Sequence, residues 1–203
     1  MVEAAIITPF AFFLMFGMIE FGLLLRTEHA VGDASSNGVR VAAAHPREPE
    51  STGPDAGFAP RIKKEVEDSL TSLGAGDVDF IAIYLAEDNG LPAGADSDDE
   101  IDENCGAGTS CPLYGVANGP DGWKFADTAS FGGDWDPSTV DACPVLNGVD
   151  TRDRVGVYVQ ANYDFLTPWI ADIFSENPRP VTDRTVTKFE PVQRPTLANP
   201  CSG

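Results

Sequence analysis

Apolar positions along this chain follow two successive regimes. From Ala4 to Leu25 almost every residue is apolar, with Thr8, Pro9, Gly17, Glu20 and Gly22 as the interruptions. Such a run meets the ~20 residues a helix needs to cross a hydrocarbon core. Beyond Leu25 the density falls and a period emerges. Ala30, Val31, Ala34, Val39, Val41 and Ala42 recur at roughly helical spacing, with polar residues on the opposite face. His45-Pro46 closes the pattern, because the residue before a proline is pushed out of helical geometry. The pattern predicts one helix from about Val2 to Ala44, on the order of 65 Å long at 1.5 Å per residue. Its first half is greasy all round and its second half is amphipathic. Pro9 is expected to kink or loosen the first turns, and Gly32, Ser35, Ser36 and Gly38 are thin spots in the second half.

The remaining pattern predicts a small mixed domain. Residues 46–60, rich in proline, glycine and acid, read as a linker or exposed loop. The stretch PRIKKEVEDSLTSLG then sets Ile62, Val66, Leu70 and Leu73 on one helical face, with Gly74 as the stop. DVDFIAIYLA, from Asp77, is a strand apolar on both faces. DRVGVYVQANYDF alternates, with Val155, Val157, Val159, Ala161 and Tyr163 on the core side. TPWIADIF reads as a short helix with proline in its first turn, and VTDRTVTKFE as a last strand antiparallel to the one before. The predicted fold class is α+β: a long N-terminal hydrophobic helix over residues 1–45, and a head over 46–203 built on a small antiparallel sheet. Residues 87–150 carry most of the Gly, Pro, Asp and Cys and read as an inserted loop. Trp123, Phe125, Phe131 and Trp135 would give that loop a core of its own, with an exposed adhesive patch as the alternative.

Charge and cysteine content narrow the function. The chain of 203 residues carries 13 Lys+Arg against 32 Asp+Glu, a formal net charge of −19. Nucleic acid is excluded as a partner, since binding it relies on basic side chains that displace counterions. The acid lies mostly after residue 46, which predicts a strongly solvated head. Cys105, Cys111, Cys143 and Cys201 form no metal-like pair, and His29 and His45 lie far from them. An even number of cysteines behind a membrane segment points to two disulfides in an oxidising compartment. Three pairings are open; Cys105–Cys111, which closes a short loop, and Cys143–Cys201, which would staple the tail, are the favoured set, against free buried thiols.

No cofactor is expected, with calcium the single candidate. Asp96, Asp98, Glu100 and Asp102 alternate as oxygen donors do in calcium loops. The loop lacks the glycine and terminal glutamate of that pattern, so a solvated acidic loop is the competing explanation. No nucleophile elbow, P-loop or dinucleotide fingerprint is present, and the chain reads as a non-enzyme. The apolar run lacks a basic segment before it and a clear small-residue cleavage site after it, so it reads as an anchor rather than a cleavable signal peptide.

The N-terminal segment resembles the TadE-like family of pilin-like proteins associated with Tad pili. Val2-Glu3-Ala4 resembles the family's acidic start, Pro9 its early proline, Ile19-Glu20-Phe21-Gly22 its I-E-F-G block, and Gly38-Val39-Arg40-Val41-Ala42-Ala43 the end of its helix. The strand, Leu-Thr-Pro turn, short helix and final strand near the C-terminus also look like the close of these proteins. The resemblance implies a structural subunit of a surface filament, membrane-anchored before assembly, with other pilin subunits as partners and a role in adhesion or pilus assembly. It assigns subunit contacts to Glu3, Pro9, Phe12, Phe13, Phe16, Glu20 and Phe21. Glu3 would meet a positive group of a neighbouring subunit. Glu20 would snorkel to the outer interface near Arg26 or pair with a neighbour's basic group. The alternative is a membrane-anchored extracellular binding domain that does not polymerise.

Overall fold

The structure is a computed structural model that describes residues 2–45, 58–70, 73, 78–92, 101, 114–119, 122–125, 152–167 and 178–191. Helix α1 runs unbroken from Val2 to Ala44, 43 residues, through Pro9. Pro9 offers no N–H to the carbonyl of Ala5, while the Thr8 hydroxyl donates to the Ala4 carbonyl at 2.6 Å. Helix α2 spans Phe58–Ser69, so the second helix begins two residues before the Pro60 start read from the pattern. Three long strands follow the sequence periodicity: β1, Val78–Ala86, β4, Arg154–Tyr163, and β5, Arg179–Lys188. Two shorter ones, β2, Tyr114–Gly119, and β3, Gly122–Phe125, lie inside the stretch read as an inserted loop. That stretch therefore supplies one edge of the sheet.

All neighbouring strands are antiparallel, in the order β3-β2-β1-β4-β5. The register sets Ile81 opposite Val159 and Ile83 opposite Val157, and Val157 opposite Thr185. Because side chains alternate across a strand, this register gathers Ile81, Ile83, Val155, Val157, Val159 and Ala161 in the core against which the helices pack. Ile62 and Val66 of α2, Leu70 just past its end, and Val31, Ala34, Val39 and Ala42 of α1 complete it. The other face of β1 is covered too, in a second cluster of Phe80, Ala82, Tyr84, Ala86, Leu91, Ile101 and Tyr158. Burial on both faces is what the unbroken apolar run of β1 requires.

Two glycines permit close approaches. A Cβ at Gly38 would lie 2.6 Å from Val66 Cγ2 and 3.2 Å from Val157 Cγ1; the missing side chain is what brings α1 against α2 and the sheet together. Gly156 faces Tyr84 across the β1–β4 ladder, and the tyrosine ring lies over the space its Cβ would take. The hydroxyl of Tyr84 then donates to the Gly90 carbonyl at 3.0 Å.

Polar ties fix α1 to the end of the chain. Ser35, fully buried, donates its hydroxyl to the Asp183 carboxylate and lies 2.8 Å from Thr185 Oγ1. Asn37 Nδ2 donates to Ser69 Oγ of α2 at 3.1 Å. At the top of the helix, Glu190 N–H donates to the Ala43 carbonyl at 2.9 Å, satisfying one of the acceptors that a helix C-terminus leaves open.

The cysteines Cys105, Cys111, Cys143 and Cys201, the acidic residues Asp96, Asp98, Glu100 and Asp102, and the stretch read as a helix after Thr167 lie outside the described residues.

Candidate functional site

Helix α1 changes character at one residue. From Ile6 to Ile19 its apolar side chains stand exposed, among them Phe10, Phe12, Phe13, Phe16 and Met18. From Glu20 onward a buried stripe recurs at helical spacing: Glu20, Leu24, Thr27, Val31, Ala34, Gly38 and Ala42. Among the described residues α1 is the one helix long and apolar enough to cross a membrane. The part of α1 below Glu20, residues 2–19, rises ~27 Å, close to the ~30 Å of a hydrocarbon core, and exposed apolar side chains continue above it at Phe21 and Leu25.

Glu20 marks the join. Its side chain is 3% exposed, and its oxygens meet donors from the segment that follows β4. Oε1 accepts from the Tyr163 hydroxyl at 2.9 Å and from the Leu166 backbone N–H at 2.8 Å. Oε2 accepts from the Thr167 hydroxyl at 3.1 Å. The Tyr163 hydroxyl also lies 3.2 Å from the Glu20 carbonyl oxygen. A carboxylate is acceptor-only when ionised, and buried polar groups persist when such donors converge on them.

The geometry follows from ordinary strand and turn behaviour. Tyr163 is the last residue of β4, on its core-facing side, and its ring meets Phe165 edge-on, with centroids 5.3 Å apart at 84°. The chain leaves the sheet there, which frees the Leu166 N–H for Glu20 instead of a ladder partner. Burial, then the Glu20 hydrogen bond, then the Glu20 charge raise the Tyr163 hydroxyl well above its ordinary pKa. The phenol is therefore a committed donor. Beside it opens a cleft of about 180 Å³ lined by Leu23, Arg26, Thr27, Leu73, Asn162, Tyr163, Asp164 and Leu166.

Residues singled out in the sequence divide accordingly. Phe12, Phe13, Phe16 and Phe21 lie exposed on α1, Phe12 and Phe16 stacking with centroids 6.4 Å apart. Pro9 is exposed in the same stretch. Glu3 falls within α1, and its side chain lies outside the described part. Glu20 does not snorkel beside Arg26. It turns into the head, because three donors there satisfy it without water. Tyr163, Leu166 and Thr167 are the residues that sequence reasoning missed as its partners. The usable signal was an acid inside an apolar run, which demands donors, and a strand ending in Tyr163 just before the Leu166-Thr167-Pro168 turn.

A long helix, half free and apolar, half clasped by an antiparallel sheet, defines a helix-stalked α+β protein with a membrane-length N-terminal segment. Residues 1–40 match the family model described as TadE-like protein, the segment that holds Glu3, Pro9 and the Ile19-Glu20-Phe21-Gly22 block. The resemblance read from those motifs is thus borne out over this segment. Comparisons with curated proteins and with solved structures gave no match. A TadE-like domain points to a Tad pilus-associated protein. Together with the free apolar helix it indicates a membrane-anchored, surface-associated chain.

Proposed function

We propose that this chain is a pilin-like structural subunit of a Tad-type surface pilus, with a part in adhesion or assembly and no catalytic role. It is held in the membrane by the lower half of α1. It then enters a filament, of its own kind or mixed, as that surface exchanges lipid for the helices of other pilin subunits. The observation that supports this reading most is the exposure of Ile6 to Ile19 beside a head that is packed without them. Lipid is as apolar as those side chains, so close packing and polar pairing must supply the specificity of the exchange. In this reading Phe12, Phe13, Phe16 and Phe21 form the contact surface and Pro9 shapes its first turns. Glu3 pairs with a positive group of a neighbour, a pairing that fixes register along an otherwise uniform surface. Glu20 contributes through the stiffness of the join. The acidic head faces outward, with the four cysteines as two disulfides.

Shearing of surface filaments tests the proposal. Filaments that contain the native chain and are lost in Phe12→Ala/Phe16→Ala and in Glu3→Ala support it. Strict retention of the native chain in the membrane fraction favours the anchored binding domain that does not polymerise.

A further inference from the structure

We infer that the turn at residues 165–167 is a membrane-contact element, with Leu166 seated at the boundary between lipid headgroups and acyl chains. The inference rests on the membrane-anchored reading of α1 and adds to it a second contact, made by the head. Leu166 is 68% exposed, and among the described residues it is the one exposed large apolar side chain outside α1. Its level along the helix is fixed, because its backbone N–H donates to Glu20 Oε1 at 2.8 Å.

The exposed apolar surface of α1 does not stop at that level. It continues at Phe21 and Leu25, on the side away from buried Leu24, and only then do Arg26, Glu28 and His29 stand exposed. Five residues of helix rise ~7.5 Å. Leu166 therefore lies below the upper edge of the apolar band, not above it. A lipid surface high enough to cover Phe21 and Leu25 reaches Leu166 as well. The depth agrees with the ~5–10 Å to which interfacial elements sink at the headgroup–acyl boundary.

The polar groups of the turn do not oppose this placement. The Leu166 N–H and the Thr167 hydroxyl are both given to Glu20, and Phe165 is buried in the head. Asp164 lines one cleft with Arg26, Asn162 and Leu166 itself, so the charged and amide groups of the junction stand beside the turn, where lipid headgroups would meet them. Glu20 then acts in two ways at once. It closes the helix–head join, and it holds an apolar side chain of the head at lipid depth.

The test places a reporter at the turn in the full chain. Leu166→Trp is reconstituted in phosphatidylcholine vesicles containing lipid brominated on its acyl chains. The three native tryptophans form the background, and the emission added by the fourth is read by difference. That emission is expected to be blue-shifted and to lose most of its intensity to the brominated lipid. Asp88→Trp is the control, at a side chain 99% exposed beside the opposite end of the β1–β4 pair, and should keep its intensity. Red-shifted, unquenched emission from position 166 places the turn in water. Blue-shifted, unquenched emission places it against protein, such as a second copy of the chain. Either outcome overturns the inference. Vesicle flotation separates the two levels. A chain that floats yet leaves position 166 unquenched loses only the turn contact, whereas a chain that does not float loses the anchoring reading and the inference together.

Discussion

From Ile6 to Ile19 the side chains of α1 face outward, while from Glu20 to Ala43 the same helix buries one continuous face in the head. The lower region is apolar on every side, Thr8 apart, as a helix surrounded by lipid or by like helices requires. The upper region carries small residues along its buried face, Ala30, Ala34, Gly38, Ala42 and Ala43, because α2 and the sheet press close. One backbone thus serves two solvents, and the buried carboxylate of Glu20 stands where they meet. An acid in an apolar helix need not signal an ion pair; here neutral hydroxyls and one backbone N–H satisfy it.

That contrast can be broken most severely at Glu20. Glu20→Ala strands the hydroxyls of Tyr163 and Thr167 and the N–H of Leu166, and should destabilise the head by about 3 kcal/mol. Denaturant unfolding in detergent micelles, followed by near-ultraviolet circular dichroism, measures the loss. Glu20→Gln keeps a carbonyl oxygen for the turn and should lose less. Next in size is a pair of glycine substitutions. Gly38→Ala forces a methyl group against Val66 and Val157 and should cost about 2 kcal/mol by overpacking. Gly17→Ala, where nothing lies within 4 Å, should leave the head's unfolding midpoint in place.

Tyr163→Phe sharpens the comparison at smaller cost, about 1 kcal/mol for one lost hydrogen bond. Its pH dependence carries a sign. The folded-state pKa of Tyr163 is raised above its ordinary 10.0, so the unfolded chain releases that proton first. The stabilisation is complete below pH 10.0 and is lost as pH rises beyond it. A titration of head stability from neutral to strongly alkaline pH should therefore fall less steeply in Tyr163→Phe than in the native chain. The smallest effect belongs to the lower helix. Phe12→Ala and Phe16→Ala should shift head stability by no more than about 0.5 kcal/mol, as exposed positions do. A larger shift would show that the two halves of α1 are not energetically separate.

The parts of the fold that sequence reasoning reached are those with strong local patterns. Val2–Ala44 was legible because apolar runs, helical spacing and His45-Pro46 all agree on one element. The core side of β4 was legible from alternation alone, as the burial of Val155, Val157, Val159 and Ala161 shows. The β2–β3 hairpin was hidden in a stretch dominated by Gly, Pro and Asp. Its signal was short: Tyr114 and Val116 before Asn118-Gly119, Trp123 and Phe125 after Asp121-Gly122. The junction was hidden for a different reason. Periodicity says that Glu20 lies on a helix, but which remote segment brings donors to it depends on how the chain returns from β4. The Ser35–Asp183 tie, between residues 148 positions apart, is invisible to local pattern for the same reason.

The hydrogen bond from Glu190 to the Ala43 carbonyl has a consequence for biogenesis. β5 is translated long after the helix it packs on, yet it supplies Asp183 and Thr185 to Ser35 and leads directly to Glu190. The part of the stripe around Ser35 that faces β5 must therefore wait, uncovered by its own partners, until the chain has been made through Glu190. Contacts this distant along the chain close slowly. Over that interval the nascent chain offers an open flank, and a chaperone would find its opportunity there.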